Sequence, residues 1–345
     1  MSQPKRRARA AAGAGARSKP RAKVAAKRAN AKSKGTTKPA AATRGKSAHR
    51  AAPSPMFNKI ALIGIGLIGG SIALKARREG LARRIVGATR RRETADTANR
   101  LKLVDHCGTD LAAACEDADL VIICTPVGAC GEATRAIAPR LKPGAILSEV
   151  GSVKQAVIRD MRPHVPPGVH FVPAHPIAGT EHSGPEAGFP ELFEGRWAIV
   201  TPLPDGDRAA AETVAEFWRR LGSMVEFMAP DWHDKVLGIV SHLPHLIAYS
   251  IVGTADDLAG ERRSEVIKFA AGGFRDFTRI AASDPTMWRD VFLNNRDAVL
   301  EILGRFQEDL LYLQRAIRWG EGDKLFELFN RTRAIRRALI DMKQA

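Results

Sequence analysis

Two segments of this 345-residue chain carry residue types that can take part in chemistry. The first is a glycine-rich loop, Gly64-Ile-Gly66-Leu67-Ile68-Gly69-Gly-Ser, whose backbone amides can bind a pyrophosphate. The second, His175-Pro-Ile-Ala-Gly-Thr180-Glu181-His-Ser-Gly184, places an imidazole on a tight loop bracketed by small residues. Imidazole exchanges a proton near neutral pH. Together the two segments predict hydride transfer between a dinucleotide and a small hydroxylated substrate.

The glycine-rich loop stands between an apolar segment, Lys59–Ile65, and a segment with helical spacing that runs to about Glu79. This strand–loop–helix context raises the motif above chance, and Gly64, Gly66, Leu67, Ile68 and Gly69 are the candidate cofactor-binding residues. We expect Gly64 to permit the tight turn, Gly66 to let the backbone approach the pyrophosphate, and Gly69 to allow close helix–strand packing.

The end of the second predicted strand bears on the choice of cofactor. An NAD enzyme usually has Asp or Glu there, to bind the ribose hydroxyls. This chain has Thr89-Arg90-Arg-Arg, which would favour the 2′-phosphate of NADP. The sequence therefore predicts NADP or NAD, with NADP favoured, although a solvated loop that tolerates NAD remains an alternative.

Strand-like and helix-like segments alternate from Lys59 to Met228, which predicts a doubly wound, Rossmann-type α/β domain at residues 56–228. Strands are expected at residues 59–65, 84–88, 119–124, 145–150, 170–173, 197–201 and 224–227, and helices at 93–101 and 208–221. Beyond Asp231 the spacing is helical throughout. We therefore expect an all-α dimerisation and substrate domain at residues 229–345.

A long apolar stripe marks residues 285–318 of the helical part, with apolar side chains at 287, 291, 299, 302, 306, 310, 313 and 317. A helix of thirty-odd residues exceeds the usual globular length of about 10–14 residues. Part of the stripe is thus expected to face a partner subunit in a homodimer, although packing within the chain would leave the same pattern. Helices are also expected at 233–253 and 321–342.

Several further motifs occur in order along the chain: Thr125-Pro126-Val, Gly151-Ser152-Val-Lys154, Ser241-His-Leu-Pro-His245, and Phe274-Arg275-Asp-Phe-Thr-Arg279-Ile-Ala. With the two loops above, they resemble the prephenate/arogenate dehydrogenase family of tyrosine biosynthesis over about residues 57–320. The resemblance implies NAD(P)-dependent oxidative decarboxylation of prephenate to 4-hydroxyphenylpyruvate, of arogenate to tyrosine, or of both.

The resemblance also implies roles for individual residues. His175 matches the family's catalytic histidine and Ser152 the serine that orients the substrate hydroxyl and the nicotinamide, while Thr125 and Pro126 match cofactor-binding positions.

Arg279 matches the arginine for the ring carboxylate and His245 a substrate contact. Arg275, Thr180 and Glu181 are further substrate-binding candidates: Arg275 could instead pair with Asp276 or Asp290, and Glu181 could bind the ammonium of arogenate or hold an arginine.

Some of these residues have a plainer explanation. His242 and His245 could be core histidines, and no further Cys, Asp or Glu at ligand spacing supports a metal site there. His233-Asp234 would cap its own helix, a structural role. Glu149 stands where much of the family has Asp, which favours a supporting role for this carboxylate.

Two other classes of protein compete with the dehydrogenase. A β-hydroxyacid or imine reductase shares the nucleotide-binding domain, but usually has a catalytic Lys or Asp in its second domain. A non-enzymatic nucleotide-binding scaffold would need neither His175 nor Arg279.

If tyrosine inhibits the enzyme, we expect it to act at the active site, because the chain leaves no room for a fused regulatory domain.

The net charge of +17 belongs almost entirely to residues 1–55, which hold 16 Lys and Arg and no acid; the remaining 38 Lys/Arg against 37 Asp/Glu leave a net +1. Such a tail should be disordered. It is a nonspecific nucleic-acid-binding arm, a transit peptide, or, as we favour slightly, an extension before a true start at Met56.

Unpaired cysteines without CxxC spacing and the lack of a continuous apolar run predict a cytoplasmic protein that spans no membrane.

Overall fold

The computed structural model describes residues 54–260 and 268–341. The predictions for the basic tail fall almost wholly outside these ranges. The described part of the chain forms one compact unit.

One eight-stranded sheet organises the first part of the chain. Its strands are β1 Phe57–Ile63, β2 Ala82–Ala88, β3 His106–Gly108, β4 Leu120–Ile123, β5 Ile146–Glu149, β6 His170–Pro176, β7 Trp197–Val200 and β8 Met224–Phe227. They lie in the order β3-β2-β1-β4-β5-β6-β7-β8. All neighbours are parallel except β6 and β7, which pair antiparallel. This order is that of a doubly wound nucleotide-binding sheet with two strands added.

Helices cover both faces of the sheet: α1 Leu67–Arg78, α2 Arg92–Arg100, α3 Leu111–Cys115, α4 Cys130–Ile137, α5 Lys154–Met161 and α6 Arg208–Arg220. Side chains alternate along β1, so Ile60 and Leu62 enter the core that contains α1 and α6, while Ala61 and Ile63 enter the core that contains α4 and α5. A continuous aliphatic strand is expected where a sheet is covered on both faces.

The second part is helical: α7 Pro230–Leu237, a π-helical turn at Gly238–His242, α8 Leu243–Ala259, α9 Gly272–Thr278, α10 Pro285–Asn294, α11 Arg296–Arg318 and α12 Gly322–Asp341. Trp288 and Val291 of α10 belong to the same buried cluster as α4 and α5. The predicted fold class, a Rossmann-type domain followed by an all-α domain, is confirmed.

The structure corrects two details. The short edge strand β3 was not predicted, because three residues carry too little periodicity. The single helix expected at 285–318 is two helices that meet at Asn295, whose backbone lies outside the helical region (φ −107°, ψ 31°). The Asn295 side chain donates to the backbone oxygen of Asp234 and to His242 Nδ1, so tertiary contacts occupy it at the break.

The apolar stripe divides in two at the same place. Val291 and Val299 are buried within the chain, whereas Leu310 is 47% exposed and Ile317 67%. The first half of the stripe therefore packs within the chain, and the second half is exposed on the single chain.

One helical stretch, Pro230–Leu258, is long and apolar enough by length and composition to cross a bilayer, with a mean hydropathy of 1.5. Its sequence has no continuous apolar run, and buried polar side chains at His233, Asp234 and His242 interrupt it. Because Asp234 accepts hydrogen bonds from the backbone of α5, this stretch packs against the sheet domain.

Candidate active site

The candidate residues follow the ends of neighbouring strands. Gly64 follows β1, Thr89 follows β2, Thr125 comes two residues after β4, Ser152 three residues after β5, and His175 lies at the end of β6. The carboxyl ends of parallel strands share one edge of a sheet, and ligands bind there where the strand order reverses. Here that reversal lies between β1 and β4. Residues far apart in sequence therefore meet at one edge.

The glycine-rich loop has the geometry of a phosphate cradle. Gly64 has φ +100°, and a Cβ there would lie 2.8 Å from the Cys124 carbonyl oxygen. A Cβ on Gly69 would lie 2.2 Å from the Gly64 oxygen, whereas one on Gly66 would meet no atom within 4 Å. The space is thus open only where a pyrophosphate would approach. Helix α1 starts at Leu67-Ile68 without an acidic residue or a side-chain cap, so its N–H groups can bind an anion.

The residues expected beside the rest of the dinucleotide flank this loop. Thr89 is half-buried and its N–H donates to the Gly108 oxygen, while Arg90 is exposed. Thr125 is half-buried with its hydroxyl 3.7 Å from Cys130 Sγ, and Pro126 is exposed.

A chain of hydrogen bonds leads from His175 into the helical domain. His175 Nδ1 lies 2.9 Å from His233 Nε2, and His233 Nδ1 lies 2.8 Å from Asp234 Oδ1. His233 and Asp234 are buried, and His175 is half-buried. Sequence reasoning missed this arrangement, although an adjacent His–Asp pair inside an apolar helix was the available signal.

Asp234 also corrects the expectation that His233-Asp234 caps its own helix. Helix α7 begins after Ala229, whose methyl side chain cannot cap it. The Asp234 carboxylate instead accepts from the backbone nitrogens of Lys154 and Gln155, at 2.7 and 2.8 Å, and so caps the N-terminus of α5. It thereby joins the helical domain to the segment that contains Ser152.

The environment keeps His175 neutral. Burial lowers the pKa of His175 well below its usual value, and the nearby His233, Lys154 and His242 lower it further. Burial also lowers the pKa of His233, although Asp234 opposes the change. The neutral imidazole is the form that can accept a hydrogen bond or a proton from a substrate hydroxyl.

A buried ion pair supports the same region. Glu149 and Lys154 are both fully buried, and their side chains form a short contact. Glu149 also accepts from the backbone nitrogens of Gly151 and Ala174, and Lys154 Nζ donates to the Ala174 oxygen. The pair therefore ties the loop before Ser152 to the strand residue before His175. A supporting role for Glu149 fits these contacts.

His242 lies behind Ser152. Its Nδ1 accepts from Asn295 Nδ2 at 3.0 Å, and its ring faces the backbone of Ser152. Burial lowers the pKa of His242 to about 4. This ring fits the core-histidine alternative.

Arg279 and His245 approach each other from the helical domain. Arg279 lies 3.4 Å from Glu181 Oε2, an ion pair between the helical domain and the His175 loop. Its charge also contributes to lowering the pKa of His245. His245 stacks on Trp288 with ring centroids 3.6 Å apart, and its Nδ1 donates to the Ser241 oxygen. The structure therefore brings Arg279, Glu181 and His245 together.

Two other candidates stand nearer to solvent. Thr180 is exposed, and its hydroxyl accepts from the His182 backbone. Arg275 is exposed in α9, one turn before Arg279, and among the described residues no ion pair joins it to Asp276 or Asp290. Asp290 pairs with Arg289 instead.

Within residues 54–260 and 268–341, no three His, Cys, Asp or Glu side chains are placed to hold a metal ion.

Comparison with known proteins agrees with this geometry. Residues 72–227 match the family model "Prephenate dehydrogenase, nucleotide-binding domain", and residues 229–331 match "Prephenate dehydrogenase, dimerization domain". Cyclohexadienyl dehydrogenase of Zymomonas mobilis is 40% identical, over 82% of this chain and 97% of that protein. Prephenate dehydrogenase of Bacillus subtilis is 34% identical, over 82% and 76%.

Solved structures give the same result. Prephenate dehydrogenase from Aquifex aeolicus, in complex with hydroxyphenyl propionate and NAD+, superposes with a TM-score of 0.77 at 34% identity, over 82% of this chain and 98% of that one. Arogenate dehydrogenase from Synechocystis superposes with a TM-score of 0.68 at 28% identity, over 81% and 99%. The predicted class, an NAD(P)-dependent oxidoreductase of tyrosine biosynthesis, is confirmed: the chain belongs to the prephenate dehydrogenase family.

Proposed function

We propose that this protein catalyses the NAD(P)-dependent oxidative decarboxylation of prephenate, of arogenate, or of both. The observation that carries the proposal is the position of His175. It lies at the carboxyl edge of the sheet that also bears the glycine-rich loop, and its Nδ1 is hydrogen-bonded within the protein. Its Nε2 is therefore the atom that remains for a substrate.

In the proposed step, His175 Nε2 accepts the proton of the substrate hydroxyl. When bound, the nicotinamide supplies the acceptor for the hydride that leaves the same ring carbon. The bond between the ring and its carboxylate then breaks, carbon dioxide departs, and the electron pair completes the aromatic ring. Aromatisation supplies the driving force, so the protein has mainly to orient the substrate and to stabilise charge. Ser152, in the loop after β5, would orient the hydroxyl.

The guanidinium groups of Arg279 and Arg275 would bind the substrate carboxylates, since a planar guanidinium binds a carboxylate in bidentate fashion. His245, stacked on Trp288, and Thr180 would complete the pocket. Glu181 already pairs with Arg279. This contact favours the alternative that Glu181 holds an arginine over the alternative that it binds the ammonium of arogenate. We therefore propose acceptance of both substrates, without a site that demands the amine.

For the cofactor we propose a preference for NADP over NAD. Thr89 directly follows β2, at the position where a carboxylate would otherwise bind the ribose, and exposed Arg90 comes next. A carboxylate would repel a 2′-phosphate, whereas these two side chains would attract it.

We place the boundary between the two domains at residues 228/229 and assign homodimer formation to residues 229–345. Large apolar side chains stand exposed on α11 and α12, among them Ile317 at 67% and Phe326 at 71%. Exposed apolar side chains on two neighbouring helices favour a protein partner, and a second copy of the chain is the partner that we propose.

The experiment is a measurement of absorbance at 340 nm with the full chain, for each of prephenate and arogenate with each of NAD and NADP. Rapid reduction in at least one combination is expected. His175→Asn should lower kcat by about 100- to 10,000-fold, the usual contribution of a positioned base. A wild-type protein that binds dinucleotide and turns over neither substrate would contradict the proposal.

A further inference from the structure

We propose that His233 and Asp234 form a positioning device that fixes the tautomer of His175, with its proton on Nδ1 and a bare Nε2 toward the substrate. The inference rests on the proposed function of His175 as a base. It concerns two residues for which the sequence indicated only a capping role.

Asp234 sets the direction of the chain of hydrogen bonds. Its two carboxylate oxygens accept from Lys154 N at 2.7 Å and Gln155 N at 2.8 Å, both backbone donors that cannot reverse. An ionised carboxylate carries no proton and can only accept hydrogen bonds. His233 Nδ1, 2.8 Å from Oδ1, must therefore carry a hydrogen and donate it.

His233 passes that direction to His175. Burial keeps the His233 ring neutral near pH 7, so a hydrogen on its Nδ1 leaves its Nε2 bare. His175 Nδ1, 2.9 Å away, must then donate to it. Neutral His175 consequently has a bare Nε2, the only form that can accept a proton from a hydroxyl group. The opposite tautomer would present an N–H to the substrate and could not act as a base.

The charged groups around the two rings act in the same direction. Lys154 faces both rings from α5, His242 faces both from the π-helical turn, and Asp234 faces His233 from α7. The Lys154 cation opposes a permanent charge on His175, while Asp234 would stabilise the imidazolium that forms during the reaction. A histidine oriented by a carboxylate through the nitrogen that does not react follows the logic of hydrolase triads, with a second imidazole between the two.

The device also spans the two domains. His175 belongs to β6 of the nucleotide-binding domain, whereas His233 and Asp234 belong to α7 of the helical domain. The reactive tautomer of His175 is thus defined only when α7 packs against α5 and β6. The geometry makes the packing of the two domains a condition for a competent base.

The first test is the tautomer itself, which needs no activity. The full chain labelled with 15N-histidine is examined by NMR at neutral pH, with His175→Asn and His233→Leu to assign the signals. Nδ1 of His175 should be protonated and Nε2 bare in the wild type, and both forms should be populated in His233→Leu. A bare Nδ1 in the wild type would overturn the proposal.

The second test separates a positioning role from a general structural one. His233→Gln can still accept from His175 Nδ1 through its amide oxygen, whereas His233→Leu cannot. We expect kcat of His233→Leu to fall on the order of 100-fold, the lower end of what a positioned base contributes, and His233→Gln to recover most of the loss. The Michaelis constants for substrate and dinucleotide should stay nearly constant. His182→Leu is the control. His182 lies on the same loop as His175 but is exposed, so this variant should behave as wild type.

The outcomes are distinct. A His233→Leu enzyme with wild-type kcat, or a His233→Gln enzyme as slow as His233→Leu, would overturn the proposal. If the wild type shows the expected tautomer but no turnover of either substrate, the proposed function fails while the tautomer assignment is supported.

Discussion

Glu149 and Lys154 form an ion pair in which both side chains are fully buried. The pair connects the carboxyl end of β5, the loop that carries Ser152 and the β6 residue next to His175 through backbone hydrogen bonds. Burial raises the pKa of Glu149, while the Lys154 cation and the two backbone N–H donors oppose that rise. The carboxylate thus depends on its partner to remain charged inside the protein.

Removal of one partner should destabilise the protein strongly. We expect Lys154→Met to lower the free energy of unfolding by about 3–5 kcal/mol, because it leaves an uncompensated buried carboxylate. The double variant Glu149→Leu/Lys154→Met should regain a large part of that loss. Urea denaturation of the wild type and the two variants measures this. Equal stability of the single variant and the wild type would contradict the role assigned to the pair.

The glycine-rich loop offers a matched pair of substitutions. Gly66→Ala adds a methyl group where no atom lies within 4 Å, so the fold should be preserved while the approach of the pyrophosphate is hindered. Gly69→Ala adds one 2.2 Å from the Gly64 oxygen, so the fold itself should be disturbed. Dinucleotide titration and thermal unfolding together distinguish the two effects. Gly66→Ala with unchanged cofactor affinity would contradict the assignment of the cradle.

Cofactor preference should reside at the end of β2. If Arg90 contacts the 2′-phosphate, Arg90→Asp should lower kcat/KM for NADP by about 10- to 100-fold, the effect of losing a charged hydrogen bond of roughly 1.5–3 kcal/mol. The value for NAD should change little. Arg83→Asp is the control, since Arg83 is exposed and lies near the start of β2, away from its carboxyl end. Equal losses with both cofactors would contradict the proposed preference.

The ion pair between Arg279 and Glu181 predicts a separation of effects. Arg279→Ala should raise KM for the substrate by about 10- to 100-fold through loss of a charged hydrogen bond to a carboxylate. Glu181→Gln should have a much smaller effect on prephenate, because the arginine would remain. If Glu181→Gln impairs arogenate far more than prephenate, the carboxylate recognises the amine and the dual-substrate proposal needs revision. Steady-state kinetics with both substrates makes the comparison.

The buried histidines should make stability depend on pH. His242 has its pKa lowered from 6.5 to about 4 by burial. Between pH 6.5 and 4, His242 therefore binds a proton in the unfolded chain but not in the folded protein. The free energy of unfolding falls as the pH drops through this range. At pH 5 this residue alone should lower the free energy of unfolding by about 2 kcal/mol.

The control for that experiment is His242→Asn, whose amide oxygen can still accept from Asn295. Urea denaturation at pH 7 and pH 5 should show a smaller loss of stability on acidification for this variant than for the wild type. An unchanged pH dependence would mean that His242 is not the residue that titrates.

The sequence alone determined the features that depend on local pattern. The alternation of apolar strands with helical segments specified the doubly wound domain, and the spacing of Gly64, Gly66 and Gly69 specified the nucleotide loop. Residue type and the resemblance to the family singled out Ser152, His175 and Thr125, and the structure then showed that they follow strand ends at one edge of the sheet. The order of the motifs along the chain was sufficient to identify the family.

Tertiary structure alone decided the contacts that join distant segments. His175 and His233 are 58 residues apart, and Asp234 caps a helix 80 residues away. No local periodicity encodes such pairs, because burial and partner choice arise only when the helical domain packs on the sheet. The break at Asn295 has the same cause. A helical pattern continues through this position, but its side chain is held by Asp234 and His242 from another helix.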